Sequence, residues 1–149
     1  MATGMTYQLV APDEHRRNIA EKTIQTWKDH FIVVCSGVSA NFPMHLWFRL
    51  IPQAEKQLLL LRQSNVNPKF SAFAYPYGPH NYNVQPFVPF GMEAMIHNKT
   101  SRRKNFAQHC RKGFVLGSSL DHYRCWNQWT TSTKATRVSG TVFLSTTTS

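Results

Sequence analysis

Apolar residues recur at Ile19, Ala20, Thr23, Ile24, Trp27, Phe31, Val34 and Cys35. Steps of three and four put these positions on one side of a helix, so the stretch predicts a half-buried helix. Before it, residues 6–10, "TYQLV", read as the end of a strand that Pro12 breaks. Asp13 offers an oxygen to cap the helix, and Ser36-Gly37 offers a stop. A second helical run begins near Pro43 in "FPMHLWFRLIPQAEKQLLLLRQS". Pro52 inside it removes a backbone donor and predicts a kink or a short break. The run Leu58 to Leu61 is apolar nearly all round, the pattern of a helix covered on more than one side. Residues 64–91 are rich in Asn, Pro, Gly and Tyr and predict loops with a short helix near Ser71 to Tyr75.

From about Met92 the period shortens. "MEAMIH", "GFVLG", "YRCWNQW" and "TRVSGTVFL" are short runs rich in β-branched and aromatic residues, punctuated by Gly113, Gly117, Asp121 and Gly140. Such punctuation predicts four or five short strands, enough for a small barrel. The expected class is α+β. The all-round apolar helices of the first half need a cover that one strand fragment does not provide. This points to a domain whose other part lies elsewhere.

Composition narrows the function. Of 149 residues, 17 are Lys or Arg and 7 are Asp or Glu, a formal net charge of +10. An excess of that size favours a polyanionic partner, nucleic acid first, with general solubility as the ordinary alternative. From residue 76 onward there are 9 basic residues and 2 acidic ones. "NKTSRRKN", with Arg102, Arg103 and Lys104, is a basic loop between expected strands, read equally well as solvated or as touching phosphates. Tyr123, Trp126 and Trp129 suit either base stacking or a barrel core. The 3 cysteines form no C-x-x-C pair, which argues against a disulfide framework and a zinc ribbon. No apolar run reaches the roughly 20 residues of a membrane span, and the start lacks the pattern of a signal peptide. The expectation is a protein of the nucleus or cytoplasm, not secreted and not in a membrane.

Glu21 is the acidic residue that raises a question of chemistry. On the first helix it shares a face with Arg17 and Lys28, opposite the Ile24, Trp27, Phe31 stripe. A surface pairing with Arg17 is the ordinary reading.

"HRRNIAEKTIQTWKDHF" followed by "FPMHLWFRLIPQAEKQLLLLRQSNVNPK" resembles the integrase region of copia-type retrotransposon polyproteins. The resemblance implies that residues 1–80 are the helical C-terminal remnant of an RNase H-like catalytic core. In that family two Asp and one Glu bind two divalent metals, Mg²⁺ or Mn²⁺. Asn18-Ile19-Ala20-Glu21 matches the context of the Glu, so Glu21 is the implied catalytic residue and metal ligand. Arg16, Arg17, Lys22 and Lys28 are then implied DNA contacts. "FGMEAMIH", "KGFVLGSSLDHYRCW" and "TRVSGTVF" resemble the segment that follows this core, which implies a small barrel of the Src-homology-three type over residues 87–145.

The implied function is DNA integration by metal-dependent strand transfer. The partners are DNA, the missing N-terminal part of the core and further copies of the chain. Two Asp on strands are required upstream of the Glu; here the Asp residues are Asp13, Asp29 and Asp121. The chain by itself is therefore expected to carry out neither 3′ processing nor strand transfer. Two other readings stand beside this one: a non-catalytic nucleic-acid-binding module, and a reading frame without selected function.

Overall fold

The computed structural model describes residue 9 and residues 18–98 and 109–145. Helix α1 spans Ile19–Ser36. Asn18 caps it: its side-chain oxygen accepts from the backbone N–H of Ala20 at 3.1 Å and of Glu21 at 3.2 Å. A short polar side chain does this well because the first N–H groups of a helix have no partner within it. The described cap thus lies five residues after Asp13, which is outside the described residues, as is all but Leu9 of the expected strand at 6–10. At the other end the Gly37 N–H donates to the carbonyls of Val33 and Val34.

A 3-10 helix, Met44–Leu50, passes directly into α2, Ile51–Leu61. Pro52 stands in the first turn of α2, where its missing N–H and fixed φ cost nothing. The break expected at this proline is a change from three-residue to four-residue helical bonding. The short helix α3 is Ala74–Tyr77, a little later than expected.

Five strands follow: β1 Glu93–His97, β2 Cys110–Ser118, β3 Trp126–Thr130, β4 Ala135–Ser139 and β5 Val142–Leu144. They form one antiparallel sheet in the order β4-β3-β2-β1-β5. The α+β class is therefore observed. Strands β4 and β5 lie on opposite edges, yet only Gly140 and Thr141 join them. That link spans at most about 11 Å, three steps of roughly 3.8 Å. The edges of a flat five-stranded sheet are about 19 Å apart, four spacings of roughly 4.8 Å. The sheet is therefore strongly curled.

Its two faces are buried differently. Phe114, Leu116 and Trp129 meet Phe42, Leu46, Leu50, Ala54 and Val34, so the helices and the sheet share a core. Phe42 and Phe114 meet edge to face with centroids 5.5 Å apart. The second face carries Ala94, Ile96, Val115, Gln128 and Thr130, none more than 4% exposed, although none of them belongs to the helical core cluster. Burial of that face is the result expected when a sheet curves over itself. Gly113 sits in this tight interior, where a Cβ would collide with the Ile96 side chain and the Trp129 carbonyl. No helix among the described residues is long and apolar enough to cross a membrane.

Candidate nucleic-acid interface

Glu21 lies in the first turn of α1, on the exposed side of the helix. A carboxylate there is favoured by the partial positive charge of the helix N-terminus. Lys22 and Lys28 are also exposed on α1. Arg16 and Arg17 lie outside the described residues, as do Arg102, Arg103 and Lys104. A two-metal centre needs several carboxylates converging on one point. The described carboxylates do not supply it: no three His, Cys, Asp or Glu side chains come together among the described residues. Asp29, the other carboxylate of α1, accepts from Gln25 at 2.9 Å. The described residues therefore do not fit a pair of Mg²⁺ or Mn²⁺ ions.

A different group of residues does converge. Arg111, Lys112, Thr131, Ser132 and Thr133 line a concavity of about 690 Å³ open to solvent. Strand pairing builds it. Gly113 pairs with Thr130 across β2 and β3, so the next residues of each strand, running outward, face each other across the end of the sheet. Thr131 closes the ladder: its N–H at 3.3 Å and its hydroxyl at 2.9 Å both donate to the Lys112 carbonyl. The turn Thr131 to Lys134 then reverses the chain into β4, with Lys134 at a φ of 49°. His97 of β1 and Cys110 of β2 pair at the same end. The sequence between them carries Arg102, Arg103 and Lys104, which lie outside the described residues.

Among the described residues, this end carries the cations Arg111 and Lys112 and the carboxylate of Glu93. The Lys112 ammonium lies 3.1 Å from the Glu93 carboxylate, which also accepts from Asn41 at 3.4 Å. These two hydrogen bonds, Lys112 first, hold the Glu93 carboxyl below its ordinary value. Lys112 is itself 73% exposed and keeps donors free for a second acceptor. Arg111 has no ion pair among the described residues. An exposed guanidinium, an exposed ammonium and the hydroxyls of Ser132 and Thr133 are the kind of donor set that holds phosphate oxygens.

Trp129 is 9% exposed and belongs to the core, so it does not stack on bases; Tyr123 is 68% exposed. Arg111, Lys112 and the threonines are not marked as a group by the local sequence pattern, because the 18 residues 113–130 separate the two halves of the site. The signal available was the polar stretch "TTSTK" between two strand-like runs, a turn placed beside the "CRKG" start of β2. The chain matches no known family model, no curated protein and no solved structure.

Proposed function

We propose that this chain is a nucleic-acid-binding module that grips the phosphate backbone at the cationic end of its sheet. The observation that carries this reading is the concavity of Arg111, Lys112 and the Thr131–Thr133 turn. The net charge of +10 supports it, since phosphate neutralisation with counterion release supplies most of such affinity.

In the wider reading the chain is a piece of a copia-type integrase: the end of the catalytic core, with Glu21 as its third acidic residue, followed by a small barrel of the Src-homology-three type. The two-residue link between the sheet's edges supports the barrel, because closure of a small sheet demands tilted strands and a staggered register. DNA integration with Mg²⁺ or Mn²⁺ would then belong to a complete core, and binding to this part.

The test is a titration of a labelled DNA duplex at several salt concentrations. Wild-type affinity is expected to fall steeply with salt. Arg111→Ala should weaken binding at every sequence tried and reduce the salt slope by about one. A wild-type affinity that is indifferent to salt, or an Arg111→Ala slope equal to the wild-type slope, would overturn the reading.

A further inference from the structure

At the other end of β3 lies a chain of touching aromatic rings. Tyr77 packs on Phe73 with centroids 5.3 Å apart, Phe73 on His80 at 5.6 Å, and His80 on Tyr82 at 4.6 Å. Phe87 closes the group against His80 at 5.4 Å and Tyr82 at 5.9 Å. The inner rings, Phe73, His80 and Phe87, are half-buried. The outer rings are not: Tyr77 is 73% exposed and Tyr82 is 59% exposed. An aromatic cluster that served only as a small core would turn its largest surfaces inward. Here the inner rings are a base that holds two phenol rings toward solvent.

Cations are built into the same group. The Lys56 ammonium lies 5.8 Å from the Phe73 centroid and 6.0 Å from that of Phe87, and it donates to the Gln85 side chain. The Arg124 guanidinium donates to the Asn83 carbonyl at 3.3 Å, and the Arg124 N–H donates to the Val84 carbonyl at 2.9 Å. These bonds fasten a positive charge beside the Tyr82 loop. His80 is anchored by a 3.2 Å hydrogen bond to the Gln85 carbonyl. Exposed rings flanked by fixed cations are what unpaired nucleic acid requires: the rings take base faces and the cations take the intervening phosphates. Paired bases hide those faces in the stack, so a duplex cannot use the rings.

We propose that Tyr77 and Tyr82 form a stacking platform for unpaired bases, so that the chain binds single-stranded nucleic acid at this end of the sheet. The proposal rests on the nucleic-acid-binding reading above and adds the class of strand that this second site takes. The platform and the phosphate-binding concavity lie at opposite ends of β3, a five-residue strand of about 17 Å.

The experiment compares the full chain with Tyr77→Leu/Tyr82→Leu and with Tyr77→Phe/Tyr82→Phe. Each is titrated with a labelled oligothymidylate and, separately, with a duplex of equal length. The leucine pair should lose roughly tenfold or more in affinity for the oligothymidylate, an effect of the size measured for single stacking rings. Its duplex affinity should stay as in wild type. The phenylalanine pair, which keeps both ring faces, should bind both strands as wild type does. Oligothymidylate binding unchanged by the leucine pair would overturn the platform while leaving the concavity intact. Equal losses for both strands would overturn it too, by tracing the effect to the fold. A wild-type chain that binds neither strand would overturn both readings together.

Discussion

Helix α1 and strand β2 are both rich in apolar residues, but the fold treats them in opposite ways. In α1, which has 18 residues, only Val34 is buried. Ile19 is 82% exposed and Ile24 is 60% exposed, so the first turns of the helix stand away from the body. In β2 every residue from Gly113 to Ser118 is buried, because the helices cover one face and the curled sheet covers the other. An amphipathic stripe shows which side of a helix is available for packing. Whether that side is packed depends on what else is present to meet it. The buried core lies mainly in the sheet, the 3-10 helix and the start of α2, and the cationic concavity is mounted on the sheet. Glu21 is mounted on the overhanging part.

The largest expected effect is on stability. Leu50, 1% exposed, sits between the helices and the sheet, so Leu50→Ala should cost about 2–5 kcal/mol by lost transfer and a residual cavity. Ile24→Ala should stay within about 0.5 kcal/mol, the range of surface substitutions. Urea unfolding of the two variants measures the contrast, and equal losses would mean that the first turns of α1 are packed as tightly as the core around Leu50.

A smaller effect of opposite sign is expected inside the curl. Neither amide atom of Gln128 finds a protein partner, although the side chain is fully buried. An unpaired buried amide costs about 1–3 kcal/mol, so Gln128→Leu should raise the urea midpoint. A lowered midpoint would mean that the amide has a role in the interior that no protein group accounts for.

The smallest effect depends on pH. Burial, and after it the Lys56 charge, hold the His80 imidazole below its ordinary 6.5, against the opposing effect of its hydrogen bond to the Gln85 carbonyl. A depressed imidazole binds fewer protons in the folded state than in the unfolded one. Its contribution is therefore complete above about pH 6.5 and is lost as the pH falls through the lower folded value. The melting temperature should drop more between pH 7 and pH 5 in wild type than in His80→Phe. Parallel curves would show that His80 does not sense its neighbours.

The strands were the most legible part of the sequence. Short β-branched and aromatic runs between glycines predict four or five strands, of which five are observed, and the kink or break expected at Pro52 corresponds to the change of helix type. Local signals sufficed there because each strand is bounded by its own turn residues. Two good capping residues, Asp13 and Asn18, precede the same stripe; Asn18 caps the described helix, and Asp13 lies outside the described residues. The site was least legible. Arg111 meets Thr131 only through the β2–β3 register, and Lys56 reaches Phe87 only because the 78–90 segment folds back on α2. Contacts of that range leave no mark on local periodicity. Glu21 stands out only by its neighbours in sequence, whereas the donors converge at the end of a different element, the sheet.

The central claim is that phosphate is gripped at the sheet end rather than on the helix face. The direct test sets Arg111→Ala/Lys112→Ala against Lys22→Ala/Lys28→Ala in the salt-dependent titration of one DNA duplex. Both pairs remove two positive charges, so a general charge effect would weaken binding equally. The account predicts that the sheet pair loses more affinity and reduces the salt slope by about two. It predicts a smaller change on both counts for the helix pair. Equal losses, or a larger loss for Lys22→Ala/Lys28→Ala, would contradict it.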